Sequence, residues 1–322
     1  MKKVILKTIK TLILPVVLYG VFLMLSFNRF SNWNCLYTIF LQSIIPTIIA
    51  YGVAYGNICG IFDFTIGSRL IISGLVAGLC AIKFGMLGMI FGAFASSFLT
   101  AAITGGLNRV CRIPSLVLTM GITMIFEVVG KQLAGRFGFI SVESKNTFLG
   151  SSPYIVFILI ASAALFYVLF NNTKFSFDMR AVGSNEIVAR NSGIKTELVK
   201  FKSFIYGSIF VAIAAILTIS QSGSVGAQTG LGSATILFKP LISILLALVL
   251  QGICNLTIGI FISQFSLNII FIGLIAVGMN DTFQNVVLGG FLLVVMVFFH
   301  NTERIGKIKQ KLSKHRLLHE ID

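Results

Sequence analysis

Few residues in this chain could do chemistry, and their types and spacing exclude the common enzyme classes. Of 322 residues, 10 are acidic and 3 are histidine, against 25 basic ones. His300, His315 and His319 all lie at the C-terminal end; His315 and His319 share a helix face, but two ligands without a third make a poor metal site. No G-x-S-x-G, H-E-x-x-H or paired carboxylates occur. Gly130-Lys131 and Gly306-Lys307 lack the upstream Gly and the following Ser/Thr of a Walker A loop. Five dispersed cysteines (35, 59, 80, 111 and 254) show no CxxC spacing and read as small buried hydrophobes. The sequence therefore calls for no catalytic residue, no cofactor and no metal.

Three polar features remain. Asp63 interrupts apolar sequence in CGIFDFTIGSRL, with Thr65 and Ser68 close behind. A charge at bilayer depth costs about 2.5–3.5 kcal/mol even on the mildest scale, so such a residue is a functional candidate. Asp63, Thr65 and Ser68 are accordingly expected to line a translocation pathway, with solvation or a pair to Arg69 as the structural alternative. Glu127 either snorkels or pairs with Lys131, one helical turn on. The third feature is RAVGSNEIVARNSGI, residues 180–194. Ser184 suits a helix N-cap and Gly193 a left-handed stop, which leaves about two turns, roughly 12 Å, between them. Ile187, Val188 and Ala189 form an apolar patch ringed by Arg180, Arg190 and Lys195. A helix this short does not stand alone in water. It is either an amphipathic connector on the lipid surface or a docking peg for a soluble partner.

The elements that position these residues are membrane spans. The chain is 56% hydrophobic and 11% charged, where soluble domains carry about 25% charge; its mean hydropathy is +0.97. Apolar runs of roughly 17–25 residues recur, each able to cross a bilayer. The pattern predicts an all-α polytopic membrane protein with about ten transmembrane helices, at 11–27, 36–56, 66–82, 84–104, 114–130, 153–170, 203–220, 235–253, 256–279 and 284–300. It is one transmembrane domain over 1–322: a membrane bundle at 11–300, a cytoplasmic loop at 171–202 and a basic tail at 301–322. The basic first decapeptide and the run after it read as an uncleaved signal-anchor. The net charge of +15 concentrates on one side of the bundle, which by the positive-inside rule puts both termini in the cytoplasm and gives no reason to expect nucleic acid as a partner. Glycines four apart (52, 56, 60; 74, 78; 88, 92) predict tight helix packing. Loops 131–152 and 221–234 fall outside, as plain connections or as contacts for a delivery partner.

The 180–194 segment resembles the central cytoplasmic loop of the permease subunits of bacterial ABC importers for ribose, xylose and related monosaccharides. That loop reads A-[IV]-G-x-N-x-x-A-A-x-x-S-G-I, matched here by Ala181, Val182, Gly183, Asn185, Ala189, Ser192, Gly193 and Ile194. CGIFDFTIGSRLIISGLVA is similar to the family's GGIDLSVGSMLALSGVLA, and RIPSLVLTMGI to its RIPPFIVTLGM. The likeness spans roughly residues 50 to 300. Arg69 departs from it, standing where the family is apolar. LVLQGICNLTIG departs too, standing where the family carries a Gly-rich GGxSxxGGxG. The resemblance implies a membrane permease that is not itself an enzyme, in the bacterial cell membrane. Its implied partners are an ABC ATPase subunit, an extracytoplasmic solute-binding protein, a second permease subunit and a small-molecule solute. It also implies that Gly183, Ser184, Asn185, Glu186, Ile187, Ala189, Arg190, Ser192 and Gly193 form the ATPase-coupling helix. A stand-alone ion-coupled transporter is the alternative, with Asp63 and Glu127 as its acids.

Overall fold

The computed structural model describes residues 2–26, 30–111, 113–251 and 254–279, together with 286, 287, 289, 290, 293 and 297. The three histidines, the expected basic tail and most of the expected tenth span lie outside the described residues.

Ten helices account for nearly all of the described chain: α1 (Lys2–Leu25), α2 (Trp33–Ile58), α3 (Ile66–Cys111), α4 (Ser115–Ala134), α5 (Tyr154–Asn171), α6 (Lys174–Ser184), α7 (Glu186–Asn191), α8 (Thr196–Ser222), α9 (Thr235–Leu250) and α10 (Leu256–Ala276). Seven of them (α2 to α5 and α8 to α10) are long and apolar enough to cross a membrane. The 46-residue α3 contains a break at Gly85, whose φ of +63° suits a residue without Cβ. Beyond it the helix folds back. A methyl group on Gly92 would lie 2.9 Å from the Cys80 sulfur and 3.2 Å from the Val76 carbonyl oxygen. In a straight helix residues 76 and 92 would stand about 24 Å apart. Gly88 and Gly92 thus let the two arms of α3 close into a hairpin, consistent with separate spans at 66–82 and 84–104.

The bundle is packed around α8. Gly52 of α2 and Gly207 of α8 cross with their backbones in contact: a methyl on either would meet the other's carbonyl oxygen, at 2.9 and 2.8 Å. Such small-residue contacts substitute for hydrophobic drive where lipid is as apolar as the helix. Beside this crossing, Tyr51, Tyr55, Phe166, Phe170 and Phe210 join α2, α5 and α8 in one ring cluster, with Tyr51 and Phe166 stacked at 4.6 Å. Phe175 of α6 extends the cluster by stacking on Tyr206 at 4.3 Å.

The two loops, 131–152 and 221–234, pair with each other. Strands β1 (Phe139–Ser141) and β2 (Ser224–Gly226) form an antiparallel ribbon with Ile140 opposite Val225. The chain after α8 then dips into the bundle. Along α3, Gly78 faces Ile140 and Ile219, Gly74 faces Val225, and Gly67 faces the Ser233 backbone. From Gly78 to Gly67 is about 16 Å of helix, so residues 224–233 run back along α3 instead of staying at its end. Loop 221–234 is therefore partly re-entrant.

Candidate coupling site and buried polar joints

The 180–194 segment is built from the end of α6, the whole of α7 and a structured stop. Gly183 sits where a methyl group would overlap the Ile58 carbonyl oxygen, so the last turn of α6 rests directly on the C-terminus of α2. Helical backbone continues through Ser184, whose Oγ donates to the Ala181 carbonyl at 3.0 Å. Asn185 is the extended residue (φ −160°, ψ 106°), and its Oδ1 accepts from the Val188 N–H at 3.1 Å. The cap is therefore Asn185 and not Ser184. Only a residue outside helical geometry can aim its side chain back at the first free N–H groups. At the other end the Ile194 N–H donates to the Ala189 carbonyl (3.1 Å) and the Gly193 N–H to the Arg190 carbonyl (3.0 Å), with Gly193 at φ +83°. That pairing is a Schellman stop, and the left-handed residue is the expected one.

Six capped residues have two different faces. Ala189 is 3% exposed and packs into the protein's own core, whereas Ile187 and Val188 are 73% and 59% exposed. The apolar patch expected at 187–189 is split: one residue anchors the helix, two point away from it. Polar contacts fix the orientation. Lys200 Nζ lies 2.7 Å from Glu186 Oε1, and Arg190 Nη2 stands 3.7 Å from both Glu186 Oε1 and Glu197 Oε1. The hydrogen bond from Lys200 holds the Glu186 carboxyl below its ordinary 4.5, against partial burial, which pushes the other way. Lys200 and Glu197 lie outside the motif and were not legible as its support; the signal for them was basic and acidic residues one turn apart opening the next helix.

Asp63, Thr65 and Ser68 come together, but in a closed joint. They are 8%, 0% and 1% exposed. Asp63 Oδ1 accepts from the Thr65 N–H (2.9 Å) and hydroxyl (2.6 Å), capping the start of α3. Asp63 Oδ2 pairs with Arg69 Nη1 at 3.0 Å, and Arg69 Nη2 donates to the Phe204 carbonyl of α8 at 3.4 Å. The space bordered by this pair, Gly52 and Gly207 amounts to about 10 Å³, hardly room for one water. Of the two structural alternatives, solvation or a pair with Arg69, the pair is the one present.

Glu127 does not reach for Lys131. It is 5% exposed and accepts from the Leu231 N–H (2.8 Å), the Ser233 N–H (2.9 Å) and the Ser233 hydroxyl (2.6 Å). Those groups belong to the one-turn 3₁₀ segment Gly232–Ala234 that leads into α9 and to the residue before it. A carboxylate placed on the free N–H groups at a helix start satisfies both donors and its own charge. The available signal was GLGSAT, a glycine- and serine-rich entry into an apolar helix.

A family described as "Branched-chain amino acid transport system / permease component" matches residues 35–296. The chain belongs to this permease family. Its curated relatives include the Autoinducer 2 import system permease protein LsrC of Enterobacter sp. (strain 638), 28% identical over 93% of this chain and 86% of the relative. The protein of the same name from Photorhabdus laumondii subsp. laumondii is 26% identical over 91% of this chain and 89% of the relative. No solved structure matches the chain. The permease is thus a multi-pass protein of the bacterial inner membrane and the membrane component of an ATP-binding-cassette importer, the reading favoured over a stand-alone ion-coupled carrier.

Proposed function

We propose that this permease imports autoinducer 2 or a similar small polar solute, handed over by an extracytoplasmic binding protein, with α7 as the helix that seats in a cytoplasmic ATPase. A second permease subunit completes the pathway, and ATP hydrolysis resides on the ATPase. The solute class comes from the relatives' names and their near full-length alignment. In this reading the chain crosses the membrane ten times, the tenth crossing lying in 284–300, and both termini and α7 share the cytoplasmic side.

The observation that carries the coupling role is the exposed Ile187–Val188 tip on a helix otherwise capped, stopped and tethered. Two aliphatic side chains in water on a rigid peg favour an apolar seat; a surface-lying connector would turn them toward lipid along with Ala189, which instead faces the core. Asp63, Thr65 and Ser68 serve the pathway indirectly in this reading, by holding α3 against α8. Gly183, Ser184, Asn185, Glu186, Arg190, Ser192 and Gly193 shape and orient the peg.

The test is an Ile187→Glu/Val188→Glu double variant in cells carrying the whole importer. It should reach the membrane at wild-type levels, lose ATP-dependent uptake and no longer co-purify the ATPase. Full uptake by this variant overturns the docking role. Ala189→Glu is the wrong probe, because that side chain lies in the core and its failure would report misfolding.

A further inference from the structure

At the end of the bundle that carries α7, a cleft of about 980 Å³ opens between the α3–α4 turn and the start of α8. Among the described residues its polar lining carries four cations, Arg109, Arg190, Lys195 and Lys200, against one acid, Glu197. Arg190 and Lys200 are engaged by Glu186 and Glu197. Arg109 and Lys195 have no ion pair among the described residues, and both are exposed. The cleft thus presents two uncommitted cations.

The border of the cleft is apolar on the helix side. Ile113 lines it and is 44% exposed; Val110, Leu116 and Val117 beside it are 77%, 43% and 61% exposed. Arg109 lies in the last turn of α3, and α4 begins at Ser115. The cations therefore stand where two apolar helices end, the level at which lipid phosphates lie. A pocket that is cationic inside and aliphatic at its rim fits an amphiphile with an anionic head.

We infer that this cleft binds the phosphate headgroup of an anionic phospholipid, with Arg109 and Lys195 as its ligands and the acyl chains lying along Val110, Leu116 and Val117. The inference rests on the membrane placement of the chain and not on the docking of α7, so either can fail without the other. Because Lys195 immediately follows the Gly193–Ile194 stop, an occupied cleft also braces the base of the peg.

Native mass spectrometry of the full-length permease in mixed micelles tests this, comparing phosphatidylglycerol with phosphatidylcholine of the same chains. Wild type should retain phosphatidylglycerol preferentially. Arg109→Gln and Lys195→Gln should each weaken it about fivefold, and the pair about twenty-five-fold, since a cation at the membrane surface contributes roughly that factor. Arg109→Lys should keep the preference, as should Lys83→Gln at the other end of α3's first arm, which shows that the variants fold. Equal retention of both lipids by wild type, or an unchanged preference in the double variant, overturns the site. So does complete displacement by millimolar inorganic phosphate, which would assign the cleft to a free anion. A double variant that keeps its lipid but sheds the ATPase would make the cleft a protein contact and equally overturn the lipid site.

Discussion

Replacing Glu127 by Gln isolates the clasp on the re-entrant segment with the least change of shape. Glu127 Oε2 takes the Leu231 N–H while Oε1 takes the Ser233 N–H and hydroxyl. An amide keeps one acceptor oxygen. Whichever way it turns, its NH₂ faces a backbone N–H that then has no partner. Leaving one buried donor unsatisfied costs about 1–3 kcal/mol. Leu231 adds to this, because its φ of +65° is a left-handed conformation that costs a non-glycine residue roughly 1 kcal/mol or more. The bond to Glu127 is one of the contacts that hold it there, with the Ala234 N–H to Leu231 carbonyl bond. A loss of about 2 kcal/mol corresponds to a roughly thirtyfold rise in local opening. Hydrogen-exchange mass spectrometry of the detergent-solubilised permease reads this directly. The peptide covering 223–234 should exchange about thirtyfold faster in Glu127→Gln, with α5 unchanged as the internal control. Exchange within twofold of wild type in 223–234 would refute the clasp. An equal acceleration in α5 would refute it too, by showing global loosening.

Gly183→Ala should already lift α6 from α2, since the first added carbon overlaps the Ile58 carbonyl; the readout is a lower melting temperature in detergent with lost uptake, and normal values for both would show that the contact yields. Arg69→Met leaves Asp63 buried without its cation and should cost about 3–5 kcal/mol in unfolding, whereas Asp63→Asn/Arg69→Met restores much of that, because Asn still accepts from Thr65. A double variant no more stable than the single one contradicts the pairing. Lys200→Met should make residues 185–195 more protease-sensitive at neutral pH. The Glu186 carboxyl is held below its ordinary 4.5, so in wild type the tether acts fully above that value and is lost as pH falls through the lowered one. Protection should follow that course in wild type and be flatter in Lys200→Met.

The span pattern was legible because bilayer thickness imposes it: apolar runs long enough to cross lipid stand out whatever their partners. The break in α3 was nearly placed for the same reason, although Lys83 marked it in the sequence and Gly85, two residues on, makes it. Short elements outside lipid were harder. Helix α6 does not stand out in KFSFDMRAVGS, where an amphipathic face is visible only once Phe175 and Met179 are seen to be buried. Ser184 and Asn185 are both good caps, and sequence offers no way to choose between neighbours. The choice depends on where Gly183 meets Ile58. Partners far apart in sequence were invisible. Glu127 suggested Lys131, four residues away, but bonds to residues more than a hundred positions on.

These sites meet along one helix. At its first turns α8 holds α7 through Lys200 and Glu186. A turn further on, Phe204 accepts from Arg69 and Gly207 crosses Gly52, so α8 touches both α3 and α2 at the buried ion pair. At its far end it passes into β2, from which the chain returns along α3 to the segment clasped by Glu127. Over 27 residues, about 40 Å, an α-helix behaves as a stiff rod. In the proposed reading, a push on the Ile187–Val188 tip enters α8 at Lys200 and has two routes: slide past the Gly52–Gly207 contact or rotate about it. Sliding breaks the Arg69–Phe204 bond and shears a packed aromatic cluster. Rotation keeps the glycine contact, which has no side chains to obstruct it, and swings the far end with β2. In the proposed reading the packing favours rotation, which moves the β1–β2 ribbon at the far end of α8 more than the Asp63–Arg69 joint, while the segment clasped by Glu127, back at the level of Gly67, stays near that joint.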